Sequence, residues 1–179
     1  MSYALESFEF SIKDAEYLFS LSASGVGPEQ SDILKRSALV MAMTSWETYV
    51  EDRIQEAIKE KISLLKGSFI EVFMMNSLGI QINQLHNPSS SKTKQLFEQY
   101  LGVDIQKGWV FDGLQPQSAA STLNALLDKR GQAVHRARNG ASQTAHLVTK
   151  SEAEKAINFI KKLVLSSDKY LEKQLCPHN

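Results

Sequence analysis

Residues 31–66 contain neither glycine nor proline. Through them apolar or small residues recur at steps of three and four: Ile33, Ser37, Val40, Met41 and Thr44, then Ile54, Ala57, Ile58, Ile62 and Leu65. That spacing is the repeat of one helix face. One long, uninterrupted helix is therefore the element around which the rest of the chain must pack. Ser31 offers its N-cap, after the breakers Gly25, Gly27 and Pro28, and Gly67 closes it.

Shorter segments carry the same period. Leu5, Phe8, Ile12, Ala15 and Phe19 predict a helix over residues 5–21, and residues 69–78 predict a short one. Asn87-Pro88-Ser89-Ser90-Ser91 reads as a turn leading into a helix over 92–101, and 102–115, with three glycines around Trp109 and Phe111, reads as a loop anchored by aromatics. Helix resumes beyond Pro116 with Leu123, Leu126 and Leu127 on its buried face, and Asn139-Gly140 ends it. Ser151-Glu-Ala-Glu has the form of a capping box for a last helix, whose stripe of Ala156, Ile157, Ile160, Leu163, Val164 and Leu171 runs to about Gln174. No alternating β-branched runs with hairpin turns are present, so the expected fold is all-α, an antiparallel bundle of about four to five main helices.

A chain of 179 residues with 42% hydrophobic content can bury the core of one domain spanning residues 1–179. The one cysteine, Cys176, has no partner for an intramolecular disulfide, and four scattered histidines make no zinc framework, so we expect no cofactor and no metal. No secretory signal pattern and no long apolar run stand out, which predicts a cytoplasmic protein without a membrane partner. The Gly-Lys-Ser/Thr phosphate loop, the Gly-x-Gly-x-x-Gly turn, the His-Glu-x-x-His zinc motif, the Gly-x-Ser-x-Gly elbow and the Cys-x-x-Cys pair are all missing from the sequence.

Twenty basic side chains balance twenty acidic ones, so any attraction to phosphate has to be local. Between residues 129 and 138 it is: Lys129, Arg130, Arg136 and Arg138 surround His135 with no carboxylate among them.

Arg130-Gly131-Gln132-Ala133-Val134-His135 has the Arg-x4-His form of the HEPN superfamily, and its place just before the loop to the final helix resembles that family too. Trp46-Glu47-Thr48-Tyr49-Val50 in the long helix resembles a Trp-Glu-x-aromatic pattern of HEPN subfamilies tied to prokaryotic defence and toxin systems. The resemblance is to prokaryotic HEPN ribonucleases of the RiboL-PSP-HEPN or MAE_28990-like type. The resemblance implies an endoribonuclease that cuts single-stranded RNA without metal, with Arg130 and His135 catalytic, and with a toxin or phage-defence role alongside an antitoxin or defence-system protein. Lys129, Arg136 and Arg138 are candidate RNA contacts. Glu47 is a candidate for orienting the Arg or the His from the neighbouring helix.

The residue types suit that chemistry. Metal-free RNA cleavage needs a base for the 2′-hydroxyl proton, an acid for the leaving 5′-oxygen and a cation for charge on the phosphorane. Histidine, with an ordinary pKa of about 6.5, serves as base or acid near neutrality, and the arginine fork matches phosphate oxygens. Residues five apart on a regular helix point about 140° away from each other, so one Arg130 and one His135 do not converge unaided. The resemblance implies a homodimer that brings two motifs to one cleft. Many family members carry a small polar residue after the Arg where this chain has Gly131, so a kink or close helix contact at Gly131 is expected to support Arg130. The alternative that Gly131 raises is a non-catalytic HEPN module binding RNA, nucleotide or a protein partner.

Overall fold

A computed structural model describes residues 2–136 and 148–175, without the side chains of His135 and Arg136. Six α-helices follow in order: α1 (Tyr3–Leu21), α2 (Pro28–Lys61), α3 (Phe69–Asn83), α4 (Ser90–Leu101), α5 (Pro116–Arg136) and α6 (Lys150–Leu175). Short 3-10 turns occupy Ser63–Leu65 and Ile105–Gly108. No strand forms among the described residues; one isolated bridge joins Phe111 and Leu114. The all-α bundle expected from the sequence is the fold, with α1, α2, α5 and α6 as its four longest helices.

The 34-residue α2 is the spine. Its buried side carries Leu39, Met43, Trp46, Tyr49, Val50, Ile54 and Ile58, and it packs on α1, α6, α5 and α4. Trp46 meets Trp109 edge-on with ring centres 6.1 Å apart, and Tyr49 lies edge-on to Phe8 at 6.1 Å. Burying an apolar side chain of this size contributes roughly 1.5–3 kcal/mol. Each indole N–H keeps a partner: Trp46 Nε1 donates to the Pro88 carbonyl at 3.0 Å and Trp109 Nε1 to Ser167 Oγ at 2.9 Å. The loop over 102–115 is thus anchored by Trp109, as its aromatic content predicts. Gly108 lets it close: a Cβ there would lie 2.3 Å from Tyr170 Cβ.

One polar cluster is buried inside the bundle. Arg53 Nε on α2 meets Asp168 Oδ1 on α6 at 2.8 Å, the hydroxyl of Ser2 donates to the same oxygen at 2.5 Å, and the Tyr49 hydroxyl stands 3.5 Å away. Ser2 also caps α1, accepting from the Leu5 amide, and the amides of Tyr3 and Ala4 donate to Glu56. Burial, with Asp168 adding to it, pushes the Tyr49 hydroxyl well above the usual tyrosine pKa.

Several local expectations need correction. The N-cap of α2 is Gly27 with Pro28 in the first turn; Ser31 Oγ instead donates to the Ser22 carbonyl at 2.8 Å and ties α2 back to α1. Proline fits the first turn because its missing N–H has no partner there. In the first half of α2 the buried line runs through Ala38, Leu39, Ala42 and Met43, and Ile33 is exposed; α1 is the helix packed most extensively on α2. The cap of α6 is Thr149, whose hydroxyl accepts from the Glu152 amide at 3.2 Å while Glu152 accepts from the Thr149 amide at 2.8 Å. The capping box therefore begins two residues before Ser151. The helix end expected at Asn139-Gly140 lies outside the described residues, as does Cys176. No helix among the described residues is long and apolar enough to cross a membrane.

Candidate functional site

Arg130 sits on α5 and Glu47 on α2, where the two helices pack side by side. Its Nη1 donates to Glu47 Oε2 at 3.1 Å, and the same nitrogen donates to Asn87 Oδ1 in the turn between α3 and α4. The Asn87 amide closes the triangle by donating to Glu47 Oε1 at 3.0 Å. One carboxylate thus grips both the guanidinium and the turn that flanks it. The Arg130 and Glu47 side chains are 20% and 18% exposed, so the group is held in place and still reachable.

The sequence explains why the turn arrives there. Asn87 takes a φ of 54°, left-handed backbone that Asn tolerates better than most residues. Trp46 holds the Pro88 carbonyl, Lys92 Nζ donates to the His86 carbonyl at 3.0 Å, and Asn124 on α5 accepts from the Ser90 amide at 3.0 Å. Trp46 and Glu47 are adjacent on α2, so the first fastens the turn from inside the core and the second from the rim. Glu51, one turn along α2 from Glu47, has its carboxyl pKa raised by partial burial and then by the Glu47 and Asp52 charges.

The other candidates fall as follows. Lys129 pairs with Glu152 at the start of α6, which pulls the Glu152 carboxyl down to about 2 with help from Thr149. The run of cations that looks free of carboxylates along the chain therefore acquires two in space, Glu47 on Arg130 and Glu152 on Lys129, because α2 and α6 lie against α5. α5 is continuous through Gly131, and a Cβ there would meet nothing within 4 Å, so the close helix contact expected of this glycine is absent. His135 and Arg136 belong to α5, with side chains outside the described residues; Arg138 lies outside them entirely. Beside the motif, Leu18, Ile33, Arg36, Val40, Met41 and Ala133 line an open groove of about 460 Å³ between α1, α2 and α5. Asn87 is the residue of this site that sequence reasoning takes only for a turn former; an Asn before a proline next to the motif's neighbouring helix carries no separate signal.

Among the described residues no three His, Cys, Asp or Glu side chains are grouped to hold a metal ion. What the fold and the site define is an all-helical bundle carrying an Arg-x4-His motif beside a Trp-Glu pair on its longest helix. The sequence pattern of the RiboL-PSP-HEPN family matches residues 6–173, and the chain belongs to that family. No curated protein and no solved structure matches it.

Proposed function

We propose that this protein is an endoribonuclease that cuts single-stranded RNA without a metal ion, in a cleft shared by two copies. The observation that carries the reading is the Arg130 guanidinium, fixed by Glu47 and Asn87 at a partly exposed position five residues before His135. A cation oriented in advance stabilises developing charge without reorganising during the reaction. Family membership supports RNA-related chemistry.

In this mechanism one imidazole takes the proton of the 2′-hydroxyl, and the 2′-oxygen attacks the neighbouring phosphorus. The 5′-oxygen leaves with a proton from a second imidazole. The products are a 2′,3′-cyclic phosphate and a 5′-hydroxyl, and Arg130 balances the charge on the phosphorane between them. Positions 130 and 135 lie about 140° apart around a continuous helix, so the two imidazoles are assigned to two copies of His135. Glu47 positions Arg130, and Arg136 and Arg138 take the RNA backbone. A toxin or phage-defence role, with an antitoxin or defence-system partner, follows by analogy with the family. Incubation with labelled RNA in EDTA tests the assignment: His135→Ala lowers the rate by at least about a hundredfold, and cleavage at the wild-type rate contradicts it.

A second reading has its own observation. Glu47 already neutralises Arg130, so a phosphate must compete with a carboxylate for it. A module that binds RNA, nucleotide or a protein without cleaving anything fits that pairing, and RNA bound but left uncut selects it.

A further inference from the structure

We propose that the outward face of α3 is the surface on which two copies of this chain associate, with the paired helices running parallel. Of the 15 residues of α3 only Leu78 is buried, while Phe69, Ile70, Val72, Phe73 and Ile80 are each more than half exposed. Opposite Leu78 the exposed positions Phe69, Phe73, Asn76, Ile80 and Asn83 follow one another at steps of four, three, four and three. That is the spacing of a heptad seam, held over two heptads, and a helix packed only on its own fold carries its apolar stripe inward. The rings of Phe69 and Phe73 are already stacked, with centres 6.4 Å apart and planes at 24°.

Charge, area and polarity select a second copy as the occupant. The one charged side chain of α3 is Glu71, which turns back to accept from the Gly67 amide, so two copies meet without like charges opposed. For the same reason a phosphate or a charged peptide finds no partner there. The two seam phenylalanines alone present on the order of 300 Å², a substantial part of the roughly 800 Å² per partner of a stable interface. Asn76 and Asn83 sit in line with the apolar residues. A lipid surface would leave both amides without partners, whereas in a parallel pair each lies opposite its own copy, donating and accepting.

Direction follows from the chain. Asn83 is four residues from Asn87, a span of at most about 14 Å, so a parallel pair carries both Asn87–Arg130 contacts to one end of the assembly. This point of direction deepens the shared-cleft reading and rests on it; the seam itself rests on α3 alone.

Sedimentation of wild type, Phe73→Glu and Ile80→Glu at micromolar concentration tests the seam, with circular dichroism to confirm that each is folded. The expected result is a wild-type dimer whose dissociation constant rises by about a hundredfold in either variant. A wild-type monomer, including one that binds phosphatidylcholine vesicles, or a dimer indifferent to both substitutions overturns the assignment. For direction, Asn83→Cys in a Cys176→Ser background is oxidised mildly. A disulfide-linked dimer supports the parallel pair, and its absence overturns it, since an antiparallel pair centred on Asn76 sets position 83 against position 69. RNA cleavage is measured on the same wild-type sample. A Phe73-dependent dimer that leaves RNA uncut supports the seam and removes the ribonuclease reading.

Discussion

Glu47 and Arg130 stand 83 positions apart in the chain and 3.1 Å apart in the fold, joined through Nη1 and further fastened by Asn87. If Glu47 positions the guanidinium for a reaction, its loss changes turnover more than binding. Glu47→Ala is expected to lower kcat by about ten- to a hundredfold with little change in KM, and Glu47→Gln, which keeps an acceptor at the same place, to lose less. Steady-state cleavage kinetics on folded variants check this. An unchanged kcat removes Glu47 from the mechanism.

The Lys129–Glu152 contact predicts a pH dependence of stability. The folded carboxyl titrates at about 2 against 4.5 for an ordinary one. A carboxyl held below its unfolded value stabilises the fold above the unfolded value, and that stability is lost as pH falls through the folded one. Because both side chains are partly exposed, solvent screening keeps the contribution below about 1 kcal/mol. Urea unfolding of wild type and Glu152→Gln should show a small wild-type advantage at pH 7 that shrinks steadily below about pH 4.5. A difference that grows on acidification contradicts the pairing.

Arg53 and Asp168, with side chains 3% and 4% exposed, predict a larger effect. Removing one member of a buried pair leaves an uncompensated charge, at a cost of about 3–5 kcal/mol. Asp168→Ala should lose stability on that scale in urea unfolding, and adding Arg53→Met should recover part of it. A loss under about 1 kcal/mol shows that the cluster contributes little.

Two glycines predict opposite signs for one substitution. Gly131→Ala, in a helix with nothing within 4 Å of the new methyl, should gain about 0.5–1 kcal/mol. Gly108→Ala drives a methyl into Tyr170 and should destabilise. Thermal melts of the two variants check both, and a loss at Gly131 would point to a contact absent from this fold.

How much was legible in the sequence follows from the range of each interaction. The helices are local objects, and the periods of α1 and α6 place them to within a few residues, while α2 ends at Lys61, short of the closure expected at Gly67, and the end expected for α5 lies outside the described residues. Capping was misjudged where a serine competed with a neighbour: Ser31 yields to Gly27 and Pro28, and Ser151 to Thr149, since the geometry of the first turn and not residue type alone decides the cap. The buried face of the first half of α2 differs from the expected one because Ala38 and Ala42, both fully buried, weigh little in a hydrophobic pattern. At the site, Arg130 and Glu47 were visible as members of separate local patterns. Glu47 was a candidate for orienting the Arg or the His, whereas the part of Asn87 and the capture of Lys129 by Glu152 depend on contacts between elements distant in sequence, which no local spacing encodes. α3 shows the reverse case: its sequence predicts a short helix, which forms, and the fold leaves most of its apolar residues outside.

Metal-free cleavage by the Arg130–His135 motif is tested by incubating labelled single-stranded RNA with the purified protein in EDTA, beside Arg130→Ala and His135→Ala. Wild type is expected to produce fragments ending in a 2′,3′-cyclic phosphate and a 5′-hydroxyl, and each variant to be slower by at least about a hundredfold while remaining folded. Wild-type protein that leaves RNA intact, or variants that cut it as fast, contradicts a ribonuclease built on Arg130 and His135.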